Sequence, residues 1–131
     1  MLNHISLITI LTDNVPRLAA FYRDVLGFTI KQDLNLYVEF HNEGARFAIC
    51  ARSILHDASE HASYTEARRG QSFELAFPCA EPAAVDQAYA ELTAKGAIPV
   101  HAPADMPWGQ RTAMFADPDG NIHEIFADLP H

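Results

Sequence analysis

An internal repeat is the strongest constraint on the fold of this chain. Residues 36–51 (LYVEFHNEGARFAICA) align without a gap on residues 112–127 (TAMFADPDGNIHEIFA) when Gly44 is set on Gly120, an offset of 76 residues. In each copy, segments of strand-like composition flank a turn-forming tetrapeptide, HNEG or DPDG, which is typical of a β-hairpin. The repeat therefore predicts a chain built from two similar supersecondary units.

A helix is predicted ahead of each hairpin. Apolar residues recur at helical spacing in residues 14–28 (NVPRLAAFYRDVLGF) and 81–96 (EPAAVDQAYAELTAKG). Asp13 or Asn14 can cap the first helix, a proline stands near the start of both, and a glycine can end each. The two helices fit the offset of the hairpins only loosely.

Each half therefore contains a strand, a helix, a short strand and a hairpin, the order βαβββ. We predict an α+β fold in which two such modules, about 1–54 and about 70–129, form one domain. The segment between the modules is polar and contains His56 and His61. We expect it to form a long loop or a short helix.

The charge balance narrows the range of partners. The formal net charge is −8, which argues against binding of nucleic acid or of an anionic membrane surface. No segment has the roughly 18 apolar residues of a membrane span. The N-terminal residues do not resemble a signal peptide, and Cys50 and Cys79 lie within apolar stretches. We therefore expect a cytoplasmic protein with two free, buried thiols.

Three motifs together resemble the vicinal oxygen chelate superfamily: FYRDVLGF at 21–28, WGQR at 108–111 and ADPDGNIHEIF at 116–126. This superfamily includes glyoxalase I, the extradiol dioxygenases, and the fosfomycin- and bleomycin-resistance proteins. The resemblance implies that the sheets of the two modules curl into an incomplete barrel around a cavity, and that the chain forms a homodimer. The motifs mark a helix and a turn, so they imply a fold without selecting a chemistry.

The resemblance also implies where a metal would bind, because metal-dependent members carry ligands on the first and last strands of each module. Glu124 occupies the last-strand position of the second module, but the repeat matches it with Ala48 in the first. The second module offers only Glu74 on its first strand, and His4 stands three residues before the implied position. We therefore predict no metal cofactor. The alternative is a divalent ion such as Ni, Zn, Mn or Fe, bound by Glu124 and by a His4 that a β-bulge repositions.

Strand alternation predicts which side chains meet a ligand. If Glu124 faces inward, Ile122 and Phe126 do so too, and the repeat places Arg46 on the matching face of the first module. Arg46 and Glu124 are then the two charged groups of an otherwise apolar pocket. Two alternatives remain open: the two residues form an ion pair with each other, or the strand parity is reversed and both face water.

The loop before the last hairpin supplies two further candidates. We expect Trp108 to cap the mouth of the cavity and Gln110 to hydrogen-bond the ligand. Trp108 fits a core or dimer-interface position equally well, and Gln110 fits a bond to its own loop. The strand residues Glu39, Glu74 and His123 are expected to face solvent on the outer surface of the sheets.

These inferences favour a metal-independent protein that binds a small molecule in its cavity, similar to the bleomycin-resistance proteins. Glu124, Arg46, Trp108 and Gln110 would line that site, and the acidic chain would attract a cationic ligand. The alternative is a metal-dependent lyase, isomerase or dioxygenase of the glyoxalase type that uses Glu124 as a ligand. A metal-free enzyme with Glu124 as its catalytic general base is a third hypothesis. Whether the chain catalyses a reaction is left open.

Overall fold

The computed structural model describes residues 1–131, which form two compact units, Met1–Arg69 and Gly70–His131. The first unit contains β1 (Leu7–Thr12), α1 (Val15–Asp24), β2 (Ile30–Asp33), β3 (Tyr37–Phe40), β4 (Arg46–Ala51), α2 (Arg52–Ser59) and a short 3₁₀ helix (Ala62–Tyr64). The second unit contains β5 (Ala76–Pro78), α3 (Pro82–Ala94), β6 (Ile98–Met106), β7 (Gln110–Ala116) and β8 (Ile122–Asp128).

The two sheets have the same topology. Their strand orders are β1-β4-β3-β2 and β5-β8-β7-β6. In each, the opening strand is parallel to the last strand and the other neighbours are antiparallel. The predicted α+β fold with two βαβββ modules is confirmed.

The core of the first unit lies between α1 and its sheet. Asn14 caps the helix by accepting the N–H of Arg17 at 3.1 Å, as its sequence position predicts. Tyr22 of α1 is fully buried, and its ring lies 5.3 Å from the ring of Phe47. Phe40 stacks on Phe47 at 5.6 Å. This aromatic cluster fixes which face of the sheet the helix covers.

The DPDG turn of the second unit is held by a buried carboxylate. Asp117 has no exposed surface, and its Oδ1 accepts the N–H groups of Asp119 and Asn121, both at 3.0 Å. Its Oδ2 accepts the side-chain amide of Asn121 at 2.8 Å. Gly120 takes a φ of +83°, a conformation that glycine adopts without strain. The turn therefore fixes the register of β7 on β8.

The opening strand of the second unit is shorter than the segment SFELAF predicts, since only Ala76–Pro78 forms β5. Side chains continue its attachment to β8. The backbone N–H of Leu75 donates to Nδ1 of His123 at 3.1 Å, and Gln71 bonds the backbone of both Gly120 and Ile122. His123 is therefore buried and structural, and the expectation that it faces solvent was wrong.

None of the helices has the length and apolar character that crossing a bilayer requires.

Candidate functional site

The sheet of the second unit has two chemically different faces. On β8, His123, Ile125 and Ala127 are buried. Arg111 lies opposite Ala127 and donates to Asp86 of α3 at 2.8 Å, so α3 covers this face. We call the other side the helix-free face; it comprises Gln110, Thr112, Met114 and Ala116 of β7 and Ile122, Glu124, Phe126 and Asp128 of β8.

Glu124 is the central charged group of the helix-free face. It is half-buried and lies directly opposite Met114. Burial raises the pKa of its carboxyl above the ordinary value, and the negative charge of Glu74 raises it further. No group of the second unit donates a hydrogen bond to this carboxylate. Glu124 is therefore a partly dehydrated acceptor that a ligand can satisfy.

Gln110 and Trp108 form a hydrogen-bonded chain at one end of the same face. The indole N–H of Trp108 donates to Oε1 of Gln110 at 3.1 Å, and Nε2 of Gln110 donates to Oδ1 of Asp128 at 3.2 Å. Trp108 is 61% exposed, so a core position for its ring is wrong. Gln110 binds side chains rather than the loop backbone, and it holds the indole at the edge of the face.

The structure thus places three of the four predicted ligand contacts on or beside one face. Gln110 is four residues along β7 from Met114, the partner of Glu124. At about 3.3 Å per residue, the Gln110 and Glu124 positions are roughly 13 Å apart along the strand direction. A ligand that contacts both residues must therefore be elongated.

Thr112 lies between these two positions, and sequence reasoning missed it. It has no exposed surface, and its Oγ1 is the one buried side-chain polar atom without a hydrogen-bond partner. Its cross-strand partner is Phe126. The alternation of β7 that places Gln110 on this face would also have placed Thr112 there. Its missing partner is visible only in three dimensions.

The first unit also has a helix-free face, and Arg46 lies on it. Register pairs Glu39 with Ala48, which shares the parity of Arg46 on β4. Nη2 and Nε of Arg46 donate to the two carboxylate oxygens of Glu39 at 2.6 and 3.0 Å. Arg46 therefore forms an ion pair with Glu39 of its own unit.

Glu39 is 2% exposed, so the expectation that it faces solvent was wrong. The hydroxyl of Tyr37 donates to Oε1 at 2.8 Å, and Nζ of Lys31 lies 3.7 Å from Oε2. Bonds from Arg46 and then from Tyr37 lower the pKa of Glu39 to about 2. The carboxylate can be buried because these donors replace its water shell.

The candidate metal ligands of this chain are not arranged as a metal site. β1 begins at Leu7, and its register against β4 is unbroken from Leu7 to Thr12. His4 is therefore outside the strand, with no bulge to reposition it. Glu74 is the one carboxylate that acts on Glu124 in its unit. No group of three or more His, Cys, Asp or Glu side chains is arranged to hold a metal ion.

A depression of about 240 Å³ in the first unit lies between the starts of α1 and α2. Its charged lining residues, Asp13 and Arg52, are 3.5 Å apart. Arg52 also donates to the backbone carbonyls of Ser63, Tyr64 and Glu66. This arginine fastens the 62–66 segment to the end of β4, and none of the predicted site residues lines the depression.

Comparison with known proteins decides the family. Residues 2–125 match the model of the glyoxalase/bleomycin resistance protein/dioxygenase superfamily. The chain belongs to this superfamily. The uncharacterized protein YraH of Bacillus subtilis (strain 168) is 29% identical to this chain over 126 residues. The aligned residues cover 93% of this chain and 96% of YraH.

Two solved structures show how far the likeness to other superfamily members extends. A glyoxalase/bleomycin resistance protein/dioxygenase from Nocardioides is 26% identical, covering 95% of this chain and 83% of its own, with a TM-score of 0.86. A lactoylglutathione lyase from Agrobacterium tumefaciens is 24% identical, covering 95% of this chain and 93% of its own, with a TM-score of 0.72. At that identity the likeness to the lyase concerns the fold alone. Membership of the superfamily therefore establishes the fold, whereas the ligand and any reaction depend on the residues of the site.

Proposed function

We propose that this protein binds a small molecule against the helix-free face of the second unit without a metal, and that Glu124 receives a cationic or hydrogen-bond-donating group of the ligand. The observation that carries the proposal is the state of Glu124: half-buried, raised in pKa, and without a donor from its own unit. An amine or hydroxyl that reaches this carboxylate supplies the missing hydrogen bond in partly dehydrated surroundings, where such bonds are strongest.

The surroundings of Glu124 support a cation rather than an anion. The charge of Glu74 acts on Glu124 from the neighbouring segment, and Asp128 lies four residues along β8 on the same face. Arg111, the basic residue of β7, lies on the opposite face and is paired with Asp86 and Asp105. The apolar area around the carboxylate comes from Ile122, Phe126 and Met114. A ligand with an apolar body and a positive end matches this pattern.

Trp108 and Gln110 complete the proposed contact set in the second unit. The exposed indole offers an aromatic surface, and the hydrogen bond to Gln110 limits its rotation. Arg46 remains a predicted contact from the first unit. Its bonds to Glu39 use Nε and Nη2, so the N–H groups of Nη1 can donate to an acceptor on the ligand.

The second candidate is a metal-dependent lyase, isomerase or dioxygenase of the glyoxalase type. The repulsion between Glu74 and Glu124 favours it, because two neighbouring carboxylates attract a cation of any kind. Two carboxylates are fewer than the donors that catalytic metal sites in proteins use, and the structure offers no third.

The first experiment separates the two candidates. Metal content of the purified, untagged protein is measured, and thermal melts are recorded after chelation and after addition of Ni, Zn, Mn or Fe(II). We expect substoichiometric metal and no change in melting temperature. Near-stoichiometric metal, or a melt that one ion raises, would instead support the metal-dependent enzyme.

The second experiment tests the role of Glu124 directly. The probes are 2-phenylethylamine and 2-phenylethanol, which share the phenylethyl body and end in a cationic ammonium or a neutral hydroxyl. The readouts are calorimetry and the fluorescence of Trp108, the one tryptophan of the chain. We expect the amine to bind more tightly. Glu124→Gln should lower its affinity about tenfold, since it replaces a charge-assisted hydrogen bond of about 1.5–3 kcal/mol with a neutral one of about 0.5–1.5 kcal/mol.

Glu91→Gln is the matched control, because Glu91 is an exposed residue of α3, away from this face. It should leave the affinity for the amine unchanged. Equal affinities of the wild-type protein for the amine and the alcohol, or equal losses in both variants, would contradict the proposal.

A further inference from the structure

The buried hydroxyl of Thr112 is the feature of the helix-free face that folding alone does not explain. Its Oγ1 has no hydrogen-bond partner, although the residue has no exposed surface. Such atoms are rare in folded proteins because a buried donor or acceptor without a partner raises the free energy of the native state. Valine has the same shape and would fill the position without that cost. A threonine here therefore suggests a use for the hydroxyl.

The position of Thr112 indicates what that use is. It lies directly opposite Phe126, two residue pairs along the ladder from Met114–Glu124 and therefore on the same face. Thr112 and Glu124 are therefore diagonal neighbours on one face, with their Cα atoms about 7 Å apart. The hydroxyl and the carboxylate are the two polar groups in this part of the face that lack a hydrogen-bond partner in their unit.

The side chains around Thr112 leave it close to the surface. On the helix-free face its neighbours are Gln110 and Met114 along β7, Phe126 on β8 and Ala104 on β6. All four are partly exposed. Met114 is unbranched and rotates easily, so a ligand lying on this face reaches the hydroxyl once such a side chain turns aside.

We propose that Thr112 is a specificity-determining contact, which hydrogen-bonds a ligand hydroxyl or carbonyl about 7 Å from the group that Glu124 receives. The inference deepens the proposed function and rests on it. The ligand class is an amphipathic molecule with a cationic or donating end for Glu124, an apolar body over Phe126 and Met114, and an oxygen for Thr112. A site with a buried polar group discriminates strongly against a ligand that lacks the matching group.

The test uses a probe pair and an isosteric variant. Tyramine and 2-phenylethylamine share the amine and the ring, and tyramine adds a hydroxyl at the far end. Both affinities are measured by calorimetry and Trp108 fluorescence in the wild-type protein, Thr112→Val and Thr112→Ser. We expect the wild-type protein to prefer tyramine about fivefold, Thr112→Val to abolish the preference, and Thr112→Ser to retain it.

Thermal stability separates a ligand contact from a purely structural role, because a purely structural role does not predict a higher melting temperature together with weaker tyramine binding. Thr112→Val should raise the melting temperature, because it removes the unpaired hydroxyl, while it weakens tyramine binding. The inference is overturned if Thr112→Val retains the preference for tyramine, or if the wild-type protein binds both amines equally. Failure of the wild-type protein to bind either amine would overturn the proposed function itself, and this inference with it.

Discussion

Glu39 lies directly opposite Ala48 in the β3–β4 ladder, and Ala48 is the residue that the internal repeat matches with Glu124. The first unit therefore has a carboxylate at the matching rung, supplied by the neighbouring strand. The cause is the hairpin: Phe40 pairs with Phe47 in the first unit and Ala116 pairs with Ile122 in the second, so the first loop is one residue longer. In the first unit Arg46 neutralises the carboxylate, whereas the second unit leaves Glu124 unpaired.

Glu124→Gln should stabilise the protein at neutral pH. The raised pKa of Glu124 means that the folded state binds the proton more tightly than the unfolded state. Stability therefore falls as pH rises through the interval between the unfolded and folded pKa values. Glutamine mimics the protonated side chain, so urea unfolding should show a more stable variant at pH 7 and a difference that shrinks as pH falls toward about 4. A variant less stable than the wild-type protein at pH 7 would contradict the raised pKa.

Glu39→Gln should destabilise the protein at neutral pH, the opposite of the effect expected for Glu124→Gln. The bonds from Arg46 and Tyr37 lower the pKa of Glu39 to about 2, so its ionised form stabilises the folded state above the ordinary glutamate pKa. That contribution is lost as pH falls from about 4.5 toward 2. We expect a lower melting temperature at pH 7 and convergence with the wild-type protein in acid.

The control for that experiment is Glu43→Gln, in the exposed turn of the same hairpin. It should leave the melting temperature within error at every pH. A loss in Glu39→Gln that persists undiminished at the lowest pH would mean that packing, rather than charge, is responsible.

Asp117→Asn should destabilise the second unit by about 1–3 kcal/mol, measured by urea unfolding. The carboxylate accepts two backbone N–H groups and the side-chain amide of Asn121. Asparagine offers one acceptor oxygen and places its own amide against that of Asn121. Asn42→Ala in the exposed turn of the first unit provides the comparison and should cost less than about 1 kcal/mol, because Asn42 makes a single solvent-exposed bond to Ala45. Equal losses in the two variants would show that burial of Asp117 contributes nothing.

Trp108→Phe should change stability by no more than about 0.5 kcal/mol, because the ring is 61% exposed. Its affinity for dodecylamine, whose extended chain can span the roughly 13 Å from Glu124 to the Gln110 end of the face, should fall, since the indole beside Gln110 is a proposed ligand contact. Calorimetry measures this, because the variant lacks the fluorescent reporter. Light scattering of both proteins tests the alternative that Trp108 contributes to the predicted homodimer. A shift toward monomer with unchanged affinity would favour the dimer role.

Sequence alone determined most of the elements, their order and which residues of each last strand share a face. The repeat about Gly44 and Gly120, the cap at Asn14 and the alternation around Glu124 are local signals, because hydrogen bonds and side-chain directions within a few residues produce them. These signals were sufficient for the βαβββ fold, whereas Gln110, predicted to lie in a loop, is the first residue of β7 on the face that carries Glu124.

Only the tertiary structure decided which polar side chains have partners. Glu39 and His123 were expected to face solvent because each is polar within a strand, yet one is neutralised by Arg46 and the other lies beneath the α3 side of its sheet, bonded to Leu75. The unpaired hydroxyl of Thr112 was equally invisible in the sequence. Burial and pairing depend on residues brought together from distant parts of the chain, and a one-residue difference in hairpin length changes which of them meet.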